Sequence, residues 1–237
     1  MIYKLDTATG KQTVLDNFIE GPGGYEPDAG IPYHDGYLYG TTSAGGSQKH
    51  SLCYDGFGIL YKFNLATKVL TVLFGFTNGR SGAFPYRDTL IYQDGALYGV
   101  TFSGGAIHEP NCGHISGCGV VYKFDLASNK LSVLHRFAGG HDGYDPLGGL
   151  VYLRDNLYGV ALFGGYADQG TVYKVNATTG VKTLLHSFSK TGAKDGNQPF
   201  GGMTYYGGKL YGTTTSGGDL DGQCSPYGCG TIFELSP

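Results

Sequence analysis

Lys209-Leu-Tyr-Gly-Thr-Thr-Thr-Ser-Gly-Gly218 decides how the chain is read, because it is not alone. Close copies stand at Tyr37–Gly46 (YLYGTTSAGG), Ala96–Gly105 (ALYGVTFSGG) and Asn156–Gly165 (NLYGVALFGG). The Tyr of LYG in each copy falls at Tyr39, Tyr98, Tyr158 and Tyr211, a recurrence of about 53 to 60 residues. Self-similarity at that period marks a repeat architecture and outranks any local reading.

Working outward, each LYG segment alternates like a strand and ends at a Gly-Gly pair. After a variable stretch comes a second strand: ILYKFN at 59–64, VVYKFD at 120–125, TVYKVN at 171–176 and TIFELS at 231–236, with IYKLD at 2–6 as a fifth member. Tight turns rich in Asx, Thr and Gly follow, as hairpins require. Third strands end at Phe18, Phe76, Phe137 and Phe188, each with a Leu three residues earlier. A Pro-containing loop leads to a fourth strand, and a two-residue turn opens the next LYG. Four short antiparallel strands per unit are the pattern of a β-propeller blade, and no helical periodicity competes.

The expectation is therefore an all-β fold: a β-propeller of four-stranded antiparallel blades, with four sequence repeats plus one surplus strand. As one domain or propeller section over 1–237, the units run approximately 2–43, 58–102, 119–162 and 170–215, with a final strand at 230–236. The Gly-Gly bend is kelch-like, and the small residues of the LYG strand place it innermost. The surplus strand leaves three arrangements open: a four-bladed ring with a displaced strand, a section of a larger ring, or a half-ring that pairs with another copy. If the ring is open, self-association is expected, since an open arc exposes sheet edges and apolar blade faces.

Composition agrees. The 237 residues include 43 Gly, yet 41% are hydrophobic, so glycine punctuates turns rather than signalling disorder. Twenty Tyr and 13 Phe favour strands. A net charge of −3 with no basic run argues against nucleic acid. No apolar run approaches a membrane span, so direct insertion is not expected, and the first residues lack the shape of a signal peptide.

All five cysteines lie between first and second strands. Cys112 with Cys118, and Cys224 with Cys229, form local pairs whose second member precedes the Gly that opens the next strand. Two loop-stapling disulfides are expected, and these persist in oxidising compartments. The rival reading is zinc on the two His and two Cys between His108 and Cys118, which the other cysteine loop, lacking His, weakens. Cys53 is left as a free thiol. Neither a metal nor a cofactor is expected.

The order GTVYK (Gly170–Lys174), LHSF (Leu185–Phe188), DGNQP (Asp195–Pro199), LYGTTTSGG (Leu210–Gly218) and GTIFEL (Gly230–Leu235) resembles the bacterial choice-of-anchor tandem repeat GloVer proteins across the whole chain. The resemblance implies an exported, surface-tethered repeat protein, and supplies no catalytic residue to carry over.

In an antiparallel blade the first-to-second and third-to-fourth loops leave from one side, and these are the long, variable ones. Variable loops on a rigid scaffold are where binding usually resides. The candidate binding residues are the off-register Tyr54, Asp55, His108, Glu109, His114, Tyr166, Asp168, Asp219, Asp221 and Tyr227. Their tyrosines could stack on sugar rings. Two of the carboxylates could form a glycosidase pair, but no spacing selects one. His135 and His186 share a repeat position and read as blade packing; Asp142 and Asp195 read as turn residues before Pro. The function expected is a non-catalytic extracellular or cell-surface repeat protein presenting a loop-rich face to glycans or surface proteins. The alternatives are a polysaccharide-active hydrolase or lyase and a structural spacer in a tandem surface array.

Overall fold

The computed structural model describes residues 1–27, 30–46, 56–87, 89–105, 112, 117–189, 195–219, 224 and 227–237. It opens with a hairpin of β1 (Ile2–Leu5) and β2 (Gln12–Asp16). Blade 1 follows as β3 (Tyr33–His34), β4 (Tyr37–Thr42), β5 (Ile59–Asn64) and β6 (Leu70–Gly75). Blade 2 is β7 (Ile91–Gln93), β8 (Ala96–Thr101), β9 (Val120–Asp125) and β10 (Lys130–Arg136). Blade 3 is β11 (Tyr144–Leu153), β12 (Asn156–Phe163), β13 (Thr171–Asn176) and β14 (Lys182–Ser187). In blade 4, β15 (Asn197–Pro199) and β16 (Thr204–Tyr206) share one edge of β17 (Lys209–Ser216), and β18 (Ile232–Leu235) takes the other. The expected four-stranded antiparallel blades are thus present. The one helical turn among the described residues is a 3₁₀ turn at Gly140–Asp142.

One expectation is corrected. The LYG strands β4, β8, β12 and β17 are not innermost but second, paired on both sides. The strand before each LYG in sequence takes the inner edge. There blades 3 and 4 meet backbone to backbone, with no room for a Cβ at Gly148 or Gly202. The glycine of LYG has a different cause from axial crowding. Gly40, Gly159 and Gly212 lie directly beneath the cross-strand rings of Tyr61, Tyr173 and Phe233, whose atoms fill the space a Cβ would need. Removing the side chain lets the ring lie flat on the strand.

Successive blades join through a repeated set of contacts. The Phe that ends each outer strand meets an aromatic ring on the next blade: Phe18–Tyr61, Phe76–Tyr122, Phe137–Tyr173 and Phe188–Phe233, with centroids 5.3, 5.5, 5.1 and 5.4 Å apart. These edge-on pairs are fully buried except at the two ends of the series, so each carries the large apolar burial of an aromatic core residue. The hairpin joins the series by the same rule, with Ile2 and Phe18 packed against blade 1.

Backbone bonds complete each joint. The N–H of Phe84, Asp145 and Gln198 donates to the carbonyl of Phe57, Cys118 and Gln169 on the preceding blade, at 2.9, 3.1 and 2.8 Å. Each donor precedes a proline and holds a positive φ, of 53°, 56° and 53°. That proline presses on the glycine after the acceptor: Pro85 on Gly58, Pro146 on Gly119, Pro199 on Gly170. At Gly58, Gly119 and Gly170 the absence of a side chain is thus required from two sides, by carbonyls of the LYG segment of the same blade and by the proline of the next blade.

Candidate binding face

Antiparallel pairing puts the ends of the long connections side by side. Thr42 pairs with Ile59 and Ile59 with Gly75; Thr101 pairs with Val120 and Val120 with Arg136; Ala161 pairs with Thr171 and Thr171 with Ser187. The connections from the second to the third strand, and from the fourth strand to the next blade, all start at these levels. The tight turns, such as Asp35-Gly36, lie at the opposite strand ends.

At the long-connection end, blades 1 and 2 part to form a cleft of about 430 Å³, within the usual range for small-ligand sites. Blade 1 contributes Tyr25, Glu26, Ser43, Ala44 and Gly56, and blade 2 contributes Phe84, Tyr86 and Phe102. The walls are mostly aromatic. Phe84 packs edge-on against Phe57, with centroids 5.5 Å apart, and Tyr86 against Phe102 at 6.5 Å. The Arg87 guanidinium sits 5.1 Å from the Tyr86 ring and 4.8 Å from Phe200 of blade 4, which stiffens the Tyr86 wall.

Glu26 is the one carboxylate among the described residues lining this cleft. Its φ of 59° matches the positive φ at the equivalent positions Phe84, Asp145 and Gln198. The Ser43 hydroxyl reaches Glu26 Oε2 at 3.2 Å and the Glu26 carbonyl at 3.3 Å. The scaffold thus repeats one unusual backbone conformation before proline while the side chain there changes from blade to blade.

The sequence candidates are scattered by comparison. Tyr166 is 73% exposed, its ring 4.6 Å from His141, and its N–H donates to Ser187 Oγ at 2.8 Å. Asp168, an exposed residue, accepts from Gly164 N–H of its own loop at 2.9 Å and from the hydroxyl of Tyr144 on β11 at 3.5 Å. Burial first, then the Asp168 charge, push that hydroxyl up to about 12. Tyr227 is 75% exposed within the loop closed by Cys224 and Cys229, and Asp219 is exposed. Tyr54, Asp55, His108, Glu109, His114 and Asp221, with Cys53, lie outside the described residues. Both expected disulfides are present, Cys112–Cys118 and Cys224–Cys229, so these sulfurs do not serve as thiolate ligands.

A pairing that the sequence reading treated as two separate features also appears. His135 Nε2 lies 3.0 Å from Asp142 Oδ2, and His186 Nε2 lies 3.1 Å from Asp195 Oδ1. Asp142 also accepts from Lys182 Nζ at 2.8 Å and Ala138 N–H at 2.9 Å; Asp195 accepts from Ser189 N–H at 3.0 Å. Burial alone would raise the Asp142 pKa. The His135 and Lys182 hydrogen bonds and charges overcome that and hold it at about 2. With both oxygens engaged, Asp142 is a structural tie between blades.

The family model of the Gloeobacter/Verrucomicrobia repeat matches residues 1–233. The chain belongs to that family. The Gloeobacter/Verrucomicrobia repeat therefore accounts for the hairpin and all four blades. No curated protein matches the chain. Among solved structures, one from a study of two prolyl endopeptidases superposes with a TM-score of 0.51 at 14% identity, covering 89% of this chain and 28% of that one. TolB from Acinetobacter baumannii gives 0.49 at 16% identity, covering 89% and 44%. The GH43B protein of a Bacteroides ovatus xyloglucan locus gives 0.46 at 14%, covering 86% and 40%. The endopeptidase likeness is one of fold alone. The chain spans less than half the length of these three proteins.

Proposed function

We propose that this member of the Gloeobacter/Verrucomicrobia repeat family is an extracellular or cell-surface repeat propeller whose long-connection face binds glycans without turning them over. The observation that carries the reading is the meeting of all long connections at one end of the blades, where an aromatic cleft opens. Two disulfides support an oxidising location. No helix among the described residues is long and apolar enough to cross a membrane. Hydrolysis of a glycosidic bond ordinarily needs two carboxyl groups at a set separation; the cleft's described lining offers Glu26 alone, which supports binding over turnover.

A glycan array, with a reducing-end release assay on the same oligosaccharides, tests this. Retention of oligosaccharides without release is expected. Release of reducing ends would replace the binding reading with an enzymatic one. Retention of none, with long-range end-to-end assembly of the chain, would favour a spacer.

A further inference from the structure

Resting on that reading, we infer that the cleft between blades 1 and 2 is a subsite for one uncharged pyranose ring, stacked on one ring face of the edge-on Tyr86–Phe102 pair, bordered by the other ring, and oriented by the Glu26 carboxylate. An aromatic face is electron-rich. The axial C–H groups on one side of a pyranose are weakly positive and flat enough to lie against such a face. A sugar also carries hydroxyl donors, and the cleft answers with a carboxylate acceptor. That acceptor is held in place, since Ser43 Oγ contacts both Glu26 Oε2 and the Glu26 carbonyl.

Glu26, Phe84 and Arg87 all hold positive φ, of 59°, 53° and 53°, which costs free energy for residues with a Cβ. At Phe84 the joint between blades imposes the conformation, and Glu26 repeats it before Pro27; the side chain at each is the sequence's choice. Blade 3 places the buried Asp145 at this position, whereas blades 1 and 2 place Glu26 and Phe84 on opposite sides of one cleft. Arg87, clamped between the rings of Tyr86 and Phe200, is a positioning residue for the stacking wall.

The carboxylate also sets specificity. A uronic acid would bring its own negative charge beside the Glu26 carboxylate, and like charges at contact distance repel even at the surface, most strongly at low salt. Neutral hexose or pentose chains fit; uronate chains are rejected.

Isothermal titration of the 237-residue chain with cellotetraose, xylotetraose and tetragalacturonate tests the assignment. At least one neutral tetrasaccharide should bind, with tetragalacturonate at least tenfold weaker. Tyr86→Ala and Phe102→Ala should each weaken the neutral ligand at least tenfold, and Tyr166→Ala and Tyr227→Ala less than twofold. Glu26→Gln, which keeps the size of an exposed side chain and an oxygen for Ser43, should narrow the gap between neutral and acidic ligands. It keeps the test decisive if a wall variant misfolds. Losses that fall on Tyr166 or Tyr227 instead would overturn the cleft and leave the glycan-binding face standing. Preference for tetragalacturonate would overturn the specificity. No binding of any of the three would overturn the subsite, and the array then decides separately whether the face binds glycans.

Discussion

Asp142 Oδ1 lies 2.8 Å from the ammonium of Lys182, a side chain only 6% exposed and forty residues later in the chain. The lysine crosses from blade 3 to the loop between blades 2 and 3, passing over the rings of Phe137 and Tyr173 with its nitrogen 5.5 and 5.7 Å from their centroids. It also donates to the Asp142 carbonyl at 2.6 Å. Ridges of aromatic side chains hold the blades together throughout; here an ion pair is laid over them.

Acid should therefore loosen this joint. The Asp142 carboxyl sits at about 2 in the folded protein, against about 3.9 when unfolded. A group whose pKa is depressed by folding stabilises above its unfolded value and loses that contribution as pH falls through the folded one. The contribution, on the order of 2 kcal/mol from the size of the shift, should be complete above pH 4 and vanish toward pH 2. Melting temperatures measured from pH 6 to pH 2 should show the loss. Lys182→Met keeps the stem over the two rings and should make the acid limb shallower, with the share due to the His135 hydrogen bond remaining. Asp142→Asn strands a buried ammonium and should cost about 3 kcal/mol at pH 7. An unchanged acid limb in Lys182→Met would show that the pair contributes nothing.

Much of the architecture was legible in one sequence because the repeat states it four times. Alternation, the Asx-rich turns and the terminal Phe of each third strand all recur, so strand existence and pairing could be read directly. Which strand sits innermost could not. Sequence order gives the cyclic succession of strands but not where each sheet starts, and the glycine of LYG fits either an axial position or a place beneath Tyr61 and Tyr173. The face was legible from antiparallel topology, but the cleft was not. Tyr25, Glu26 and Phe84 hide within a recurring turn before proline, and Tyr86 and Phe102 come from two different connections. The available signal was variation at a repeated position, Glu26, Phe84, Asp145 and Gln198, each just before a Pro. His135 and Asp142 stand apart in the sequence pattern, one on a strand and one in a turn, and only folding brings them into one network with Lys182.

The two disulfides should differ in reactivity. Cys112 and Cys118 are fully buried in the core between blades 2 and 3, whereas Cys229 is exposed. Thiol–disulfide exchange needs access to a sulfur. Under mild reductant, alkylation followed by mass spectrometry should label Cys224 and Cys229 first. The closed loops are short, so each bond should contribute about 2 kcal/mol or less. Equal labelling of both pairs at early times would contradict the burial argument.

Asp168 and Tyr166 are near neighbours with opposite expectations. Asp168 satisfies the Gly164 N–H and meets the Tyr144 hydroxyl, so Asp168→Ala should cost about 1 kcal/mol, the usual worth of such a bond. Tyr166 is mostly exposed, and Tyr166→Ala should stay within about 0.5 kcal/mol. Urea unfolding of the two variants separates them. Equal stabilities would mean that the loop is held by its backbone and by Ser187 rather than by the carboxylate.

The joint itself can be probed with two glycines of similar backbone. Gly36 has φ 80° and open space where a Cβ would stand, while at Gly119, φ 89°, a Cβ would meet both the Thr101 carbonyl of its own blade and Pro146 Cδ of the next. Alanine at either position must adopt a left-handed conformation, at a cost of about 1–2 kcal/mol. At Gly119 it must also push Pro146 away, and with Pro146 the neighbouring Asp145 N–H that donates to the Cys118 carbonyl at 3.1 Å. Gly36→Ala should therefore lower stability by about 1 kcal/mol, and Gly119→Ala by at least about 3 kcal/mol, from strain plus a lost hydrogen bond and overpacking. Because each blade is stabilised mainly by its neighbours, hydrogen exchange in Gly119→Ala should quicken in both β9 and β11, on the two sides of the joint. If exchange quickens in β9 alone, the glycine serves its own blade's turn, and the contact with Pro146 is not what demands it.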